Sequence, residues 1–87
     1  MKSVFTKEYT KLIGILIEAR KRVGLTQQEL ALKLNRPQSF ISKYERGERR
    51  LDVIEFLQVA KDLGLSATGI VSDLERDLAA RPEGDAP

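Results

Sequence analysis

The sequence predicts an all-α fold, a compact bundle of about five helices that contains a helix-turn-helix, and three observations lead there. Apolar residues recur at three- and four-residue spacing, with no alternating β pattern and no internal repeat. Thr26, Asp52 and Ser66 each precede such a stripe with a side chain suited to capping, and Glu29 and Glu55 follow the first two at capping-box spacing. Gly24, Gly47 and Gly64 stand where the stripes stop.

The first helix is expected from about Lys7 to Val23, burying Leu12, Ile13, Leu16 and Val23 and ending at Gly24. Thr26 opens the second helix, whose inner face is Leu30, Ala31 and Leu34. Ala31 is small where the next helix must cross closely. Asn35 suits the turn, because its side chain tolerates left-handed backbone geometry that most residues avoid. Pro37 suits a first helical position in the third helix. At about 100° per residue, Gln38, Ser39, Ser42, Lys43 and Arg46 then fall within an arc of roughly 140°, with Phe40, Ile41 and Tyr44 on the other side.

After Gly47 the basic loop Glu48, Arg49, Arg50 leads to Asp52 as the cap of a fourth helix. That helix should run from about Val53 to Leu63 with Val53, Phe56, Leu57 and Ala60 inward. Ser66 can cap a fifth reaching about Leu78 or Ala80, with Ile70, Val71, Leu74 and Leu78 as one stripe. The expected organisation is one domain over residues 1–80, the motif at 26–47 and a dimerisation helix at 66–80. Residues 81–87 have turn formers and no core residue, so disorder is expected there.

Composition narrows the chemistry. The 87 residues make one small helical domain, marginal enough that oligomerisation would stabilise it. There is no Cys for a disulfide or thiolate and no His, the commonest metal ligand and general base. The apolar run Leu12 to Ile17 is far too short to cross a bilayer, and no signal segment is visible. A soluble cytoplasmic protein without a cofactor is expected. The carboxylates that can be placed fall at caps, in an ion pair or on solvated faces, so an enzyme is not expected.

The net charge of +2 hides an asymmetry. Residues 20–50 carry nine Lys or Arg against three Glu, whereas residues 52–87 carry three against eight Asp or Glu. A polyanion is attracted to the first region and repelled by the second. Dipole-favouring cations at the end of the first helix account for Arg20, Lys21 and Arg22 alone. Lys33, Arg36, Lys43, Arg46, Arg49 and Arg50 remain. A helix whose outward face is Gln, Ser, Ser, Lys and Arg offers amide, hydroxyl and cationic groups in the chemistry that base edges and phosphates require.

The residues also carry a family resemblance. Arg20, Gly24-Leu25-Thr26-Gln27, Glu29-Leu30-Ala31, Ser42-Lys43, Tyr44-Glu45-Arg46-Gly47, Leu57, Ala60 and Leu63-Gly64 together resemble the Cro and repressor-type, or XRE, helix-turn-helix family over roughly residues 9 to 66. Asn35 replaces the Gly more usual at the turn. The resemblance implies a lambda-repressor-like DNA-binding domain from a bacterium or phage. It further implies an internal ion pair between Arg20 and Glu45, phosphate contacts from Gln27, Arg46, Arg49 and Arg50, and base contacts from Gln38, Ser39, Ser42 and Lys43. Glu48 departs from the cation often found after the Gly. Phe40 is open to two roles, a thymine methyl contact or packing at the helix edge.

The expected function is sequence-specific binding of double-stranded DNA, most simply as a homodimer that represses from an inverted-repeat operator. Ile70, Val71, Leu74 and Leu78 are the expected dimer interface. Two alternatives stay open: an antitoxin that binds a toxin protein and autoregulates, and a restriction-modification controller.

Overall fold

In the computed structural model, which describes residues 6–80, five helices follow one another: α1 (Lys7–Val23), α2 (Gln27–Leu34), α3 (Gln38–Arg46), α4 (Val53–Asp62) and α5 (Ala67–Ala79). No strand occurs among the described residues. Residues 1–5 and the tail at 81–87, where disorder was expected, lie outside the described residues.

Each helix begins where its cap dictates, except α3. The Thr6 hydroxyl accepts from Tyr9 N–H, and the Ser66 hydroxyl from Gly69 N–H, at 3.1 Å in both cases. Thr26 and Asp52 form full capping boxes, Glu29 and Glu55 reaching back to the cap N–H at 2.8 and 3.0 Å. Pro37 is the N-cap of α3 and not its first helical residue, with φ −68° and an extended ψ of 153°. It supplies no side-chain cap, so the start of α3 relies on Pro37's fixed φ and on packing.

The turns are left-handed where the sequence allows it. Asn35, at φ 56° and ψ 45°, is the one non-glycine with positive φ among the described residues, and it closes α2 by donating to Ala31 and Leu32 carbonyls. Arg36 N–H also donates to the Ala31 carbonyl, at 2.9 Å, so the turn into α3 is tight. Gly24 plays the same part after α1, at φ 87°.

The core joins Tyr9, Ile13, Leu16 and Ala19 of α1 to Leu30 and Ala31 of α2 and Phe40, Ile41 and Tyr44 of α3. Phe56, Val59 and Ala60 of α4, with Leu63 and Ile70, close it from the other side. Ala31 is buried in the core, where a larger side chain would overpack.

Three inward assignments differ from expectation. Val23 is 52% exposed, because the chain reverses at Gly24 and Leu25 packs against the core instead. In α4 the buried stripe is Phe56, Val59, Ala60 and Leu63, while Val53 and Leu57 are 70% and 44% exposed. The apolar arc of α4 is wider than the core beneath it, and periodicity alone does not say which part is covered. In α5 the stripe divides: Ile70 is buried and Leu74 half-buried in this protomer's own core, leaving Val71 and Leu78 each 51% exposed. Ile70 therefore cannot serve as a free interface residue.

Candidate nucleic-acid interface

α3 buries Phe40, Ile41 and Tyr44 and turns Gln38, Ser39, Lys43 and Arg46 outward, with Ser42 half-buried beside them. The buried side comes from a nine-residue helix whose three apolar residues all enter the core as α3 packs on α2 and α1, which locks its rotation about its own axis. The outward groups are consequently presented as one face. The Ser42 hydroxyl makes a long 3.4 Å contact to the Ser39 carbonyl, which leaves it little committed.

One flank of that face is braced by a chain of hydrogen bonds running into the body of the protein. Arg20 Nε donates to Glu45 Oε2 at 2.7 Å and Arg20 Nη2 to Glu45 Oε1 at 3.1 Å, while Nη1 donates to the Leu25 carbonyl at 2.8 Å. The side chains are 12% and 6% exposed. This fork-on-carboxylate geometry ties the end of α1 to the end of α3 and raises the Arg20 pKa above its ordinary value, chiefly through the Glu45 hydrogen bond. Gln27 Nε2 donates to the same Glu45 Oε1 at 2.9 Å, and Gln38 Nε2 reaches Gln27 Oε1 at 3.4 Å. Gln38 keeps an amide oxygen and a second N–H for an outside partner.

The other flank is cationic. Arg36 lies 4.0 Å and Arg49 5.1 Å from the centroid of the Phe40 ring, so Phe40 packs at the helix edge, 6% exposed and in contact with two guanidiniums. It is not free for a thymine methyl. Glu55 accepts from Arg49 Nη1 and Nη2 at 2.8 Å each and from Arg36 Nη2 at 3.2 Å. These bonds, the Arg49 pair foremost, hold the Glu55 carboxyl well below the usual carboxylate range, down to about 2.

The remaining expected phosphate residues have partners within the chain as well. Arg46 is paired with Glu48 through Nε at 2.9 Å and Nη2 at 3.1 Å, so the carboxylate that replaces a cation after Gly47 is bound to its neighbour. Both side chains are more than half exposed, and such a pair opens readily for a stronger anion. Arg50 stacks 4.2 Å from the Tyr9 ring centroid, beside the 2.8 Å hydrogen bond from Leu51 N–H to the Tyr9 hydroxyl. Arg36 was counted in the sequence only among the cations of the basic region and Glu55 only as a capping residue, and neither was expected beside the α3 face. Their meeting depends on a loop that brings the start of α4 beside the α2–α3 turn, and no local spacing signals it.

Among the described residues no group of His, Cys, Asp or Glu is placed to hold a metal ion, and no helix is long and apolar enough to cross a membrane.

Residues 16–70 match the model of the helix-turn-helix family. Among solved structures, an XRE-family like protein from Pseudomonas syringae pv. tomato str. DC3000 is 48% identical, with a TM-score of 0.76 covering 80% of this chain and 85% of its own. The restriction-modification controller protein C.Esp1396I, solved as a tetramer in complex with its natural 35 base-pair operator, is 25% identical. Its TM-score is 0.70, covering 86% of this chain and 99% of its own. The uncharacterized HTH-type transcriptional regulator y4dJ of Sinorhizobium fredii (strain NBRC 101917 / NGR234) is 35% identical over 63 residues, 71% of this chain and 82% of the relative. With two helices meeting at a left-handed Asn35 turn and a polar α3 face, this chain belongs to the XRE family of helix-turn-helix DNA-binding transcriptional regulators.

Proposed function

We propose that this protein is a cytoplasmic, sequence-specific repressor that binds an inverted repeat in double-stranded DNA as a homodimer and blocks transcription by covering the promoter. The observation that carries this reading is the α3 face: Gln38, Ser39 and Lys43 stand exposed on a helix whose opposite side is buried. Gln38 suits adenine N6 and N7, and Lys43 suits guanine O6 or N7. Ser39 and Ser42 are short and can serve either base edge. Gln27 at the start of α2 lies where backbone N–H groups favour a phosphate. Arg46, Arg49 and Arg50 add backbone attraction and fix register without reading sequence.

Binding by two copies places two α3 helices about 34 Å apart, one DNA turn. The face proposed for the second copy is the apolar surface left by α4 and α5, where Leu57 meets Val71 and where Val53, Ile54 and Leu78 are also well exposed on the same two helices. A groove of about 440 Å³ between Leu57 and Val71 gives that face relief. Deleting α5 would remove the core residue Ile70, so the cleaner perturbation is the double substitution Leu57→Glu, Val71→Glu. The native protein should sediment at twice its 9.8 kDa chain mass and the variant at the chain mass, with weaker operator binding. A variant that stays dimeric assigns the interface elsewhere.

The contact assignments are tested by titrating variants against a selected operator, single-base variants of it and random duplex at several salt concentrations. Gln38→Ala and Lys43→Ala should relax preference at particular base pairs by about 1 to 3 kcal/mol each. Arg46→Ala should weaken all sequences about equally and lower the salt slope by about one. Uniform weakening by Lys43→Ala would make Lys43 a phosphate contact. No change in any of the three would remove DNA binding from this face.

A second reading, a restriction-modification controller that activates as well as represses, is favoured by the likeness to C.Esp1396I, which extends over 99% of that protein. A restriction or modification gene adjoining this one, and activation from one operator half, would select it.

A further inference from the structure

We propose that Arg36 and Arg49 form a second phosphate seat on the flank of α3 opposite Gln27, and that Glu55 is the positioning residue that holds both guanidiniums in it. The inference rests on the DNA-binding reading above and assigns it two residues, Arg36 and Glu55.

The seat is a notch of about 210 Å³ lined by Arg36, Pro37, Ser39, Phe40, Lys43 and Arg49. Ser39 and Lys43 belong to the outward face of α3, so the notch opens directly beside the groups proposed to read bases. Going round α3 at about 100° per residue, Gln38 and Glu45 lie on one edge of that face and Lys43 and Phe40 on the other. A helix seated in the major groove has a phosphate backbone along each side of it, about 12 Å apart. The Gln27 edge offers helix-terminal N–H groups to one strand; the Arg36 and Arg49 edge faces the other.

The positioning is visible in how the charges are held. Two guanidiniums gathered about one ring would repel and sample many rotamers if left alone. Here the Phe40 ring sits 4.0 and 5.1 Å from them, and one carboxylate takes hydrogen bonds from both. Glu55 needs only Oε1 to complete the capping box with Asp52 N–H, at 3.0 Å. Its Oε2 accepts from both arginines, a task capping does not require. Since one carboxylate cancels one of the two cations, the pair keeps a net positive charge, and Lys43 at the rim adds another. Arg36 spends one of its five donors on Glu55, so most of its fork stays available to a phosphate oxygen.

The test turns on the sign of an effect. Glu55→Gln removes a negative charge beside the DNA, so Coulomb attraction alone predicts tighter binding to random duplex and a steeper salt dependence. Positioning predicts the reverse: about 3- to 10-fold weaker binding at about 0.1 M salt, with a slope shallower by nearly one unit. Arg36→Gln should lose a similar factor and slope, while Arg36→Lys should retain the slope and recover part of the affinity. All are measured on the full chain, with helical content followed by circular dichroism. If Glu55→Gln fails to fold, the Arg36 pair decides alone, because Arg36 is a third exposed and caps no helix.

Tighter or unchanged binding by folded Glu55→Gln, or native affinity and slope for Arg36→Gln, overturns the seat. Gln38→Ala, measured in parallel, separates this failure from that of the underlying reading. If Gln38→Ala still relaxes base preference, α3 reads DNA and only the seat is wrong. If Gln38, Arg36 and Glu55 variants all bind as the native protein does, both are wrong.

Discussion

Replacing Arg20 by Met should be among the most damaging single changes in this chain. Glu45, 6% exposed, would lose both charge-assisted hydrogen bonds from the Arg20 fork, and with them the positive charge that offsets its own desolvation. Gln27 Nε2 at 2.9 Å would be the sole side-chain donor left to it among the described residues. Removing one partner of a buried pair costs about 3 to 5 kcal/mol, because the survivor is stranded. A chain of 87 residues has a total stability of about 4 to 13 kcal/mol at typical per-residue values, so the variant would lose a large share of it. Arg20→Met combined with Glu45→Met removes both charges and should cost about 1 kcal/mol or less, since well-packed apolar groups often replace buried pairs without loss. Urea unfolding followed by circular dichroism on both singles and the double gives the cycle, with a coupling energy of at least about 2 to 4 kcal/mol expected, since the Arg20 single alone exceeds the double by that much. A single-mutant cost below about 1 kcal/mol, or a double that costs the sum of the singles, would refute the account of a desolvated and mutually dependent pair. The double variant carries a second signature: with Glu45 gone, Gln27 loses its acceptor and Gln38 its brace, so a folded double should discriminate bases at the Gln38 position less sharply.

Two further predictions concern protonation and burial. The Glu55 carboxyl is lowered from 4.5 to about 2, so its contribution is fully present above about pH 5 and is lost as pH falls from there towards 2. The full shift corresponds to about 3 kcal/mol, and solvent screening of the partly exposed Arg36 and Arg49 reduces it to about 1 to 2. Urea midpoints between about pH 7 and pH 3 should therefore fall less for Glu55→Gln than for the native protein, and parallel curves would contradict the assignment. The Tyr44 hydroxyl is buried with no hydrogen-bond partner among the described residues, and burial pushes its pKa up. An unmet buried hydroxyl costs about 1 to 3 kcal/mol, so Tyr44→Phe should be neutral or stabilising by about 1 kcal/mol in thermal unfolding. A loss of more than about 1 kcal/mol would mean the hydroxyl is satisfied.

Local chemistry determined most of what the sequence by itself could fix. Thr26 with Glu29, Asp52 with Glu55, and Ser66 set helix starts through bonds to N–H groups three residues away, and Gly24, Asn35 and Gly47 set the stops through backbone torsions that few residues accept. The polar and apolar sides of α3 were legible for the same reason: its buried and exposed residues differ sharply in type, so a period of 3.6 residues separates them. α4 and α5 were harder. Their apolar arcs are broader than the core they meet, so only packing decided that Val59 and Leu63 go inside while Val53, Leu57, Val71 and Leu78 stay out. Long-range pairing was equally a tertiary matter. Arg20 and Glu45 are separated by 25 residues and were paired only by family likeness, and the meeting of Arg36, Phe40, Arg49 and Glu55 was signalled by nothing local. Caps and periodicity are interactions between residues a few positions apart, which sequence spacing encodes directly. The choice among equally apolar faces, and among several cations for one carboxylate, is made by which surfaces the folded chain brings within a few ångströms.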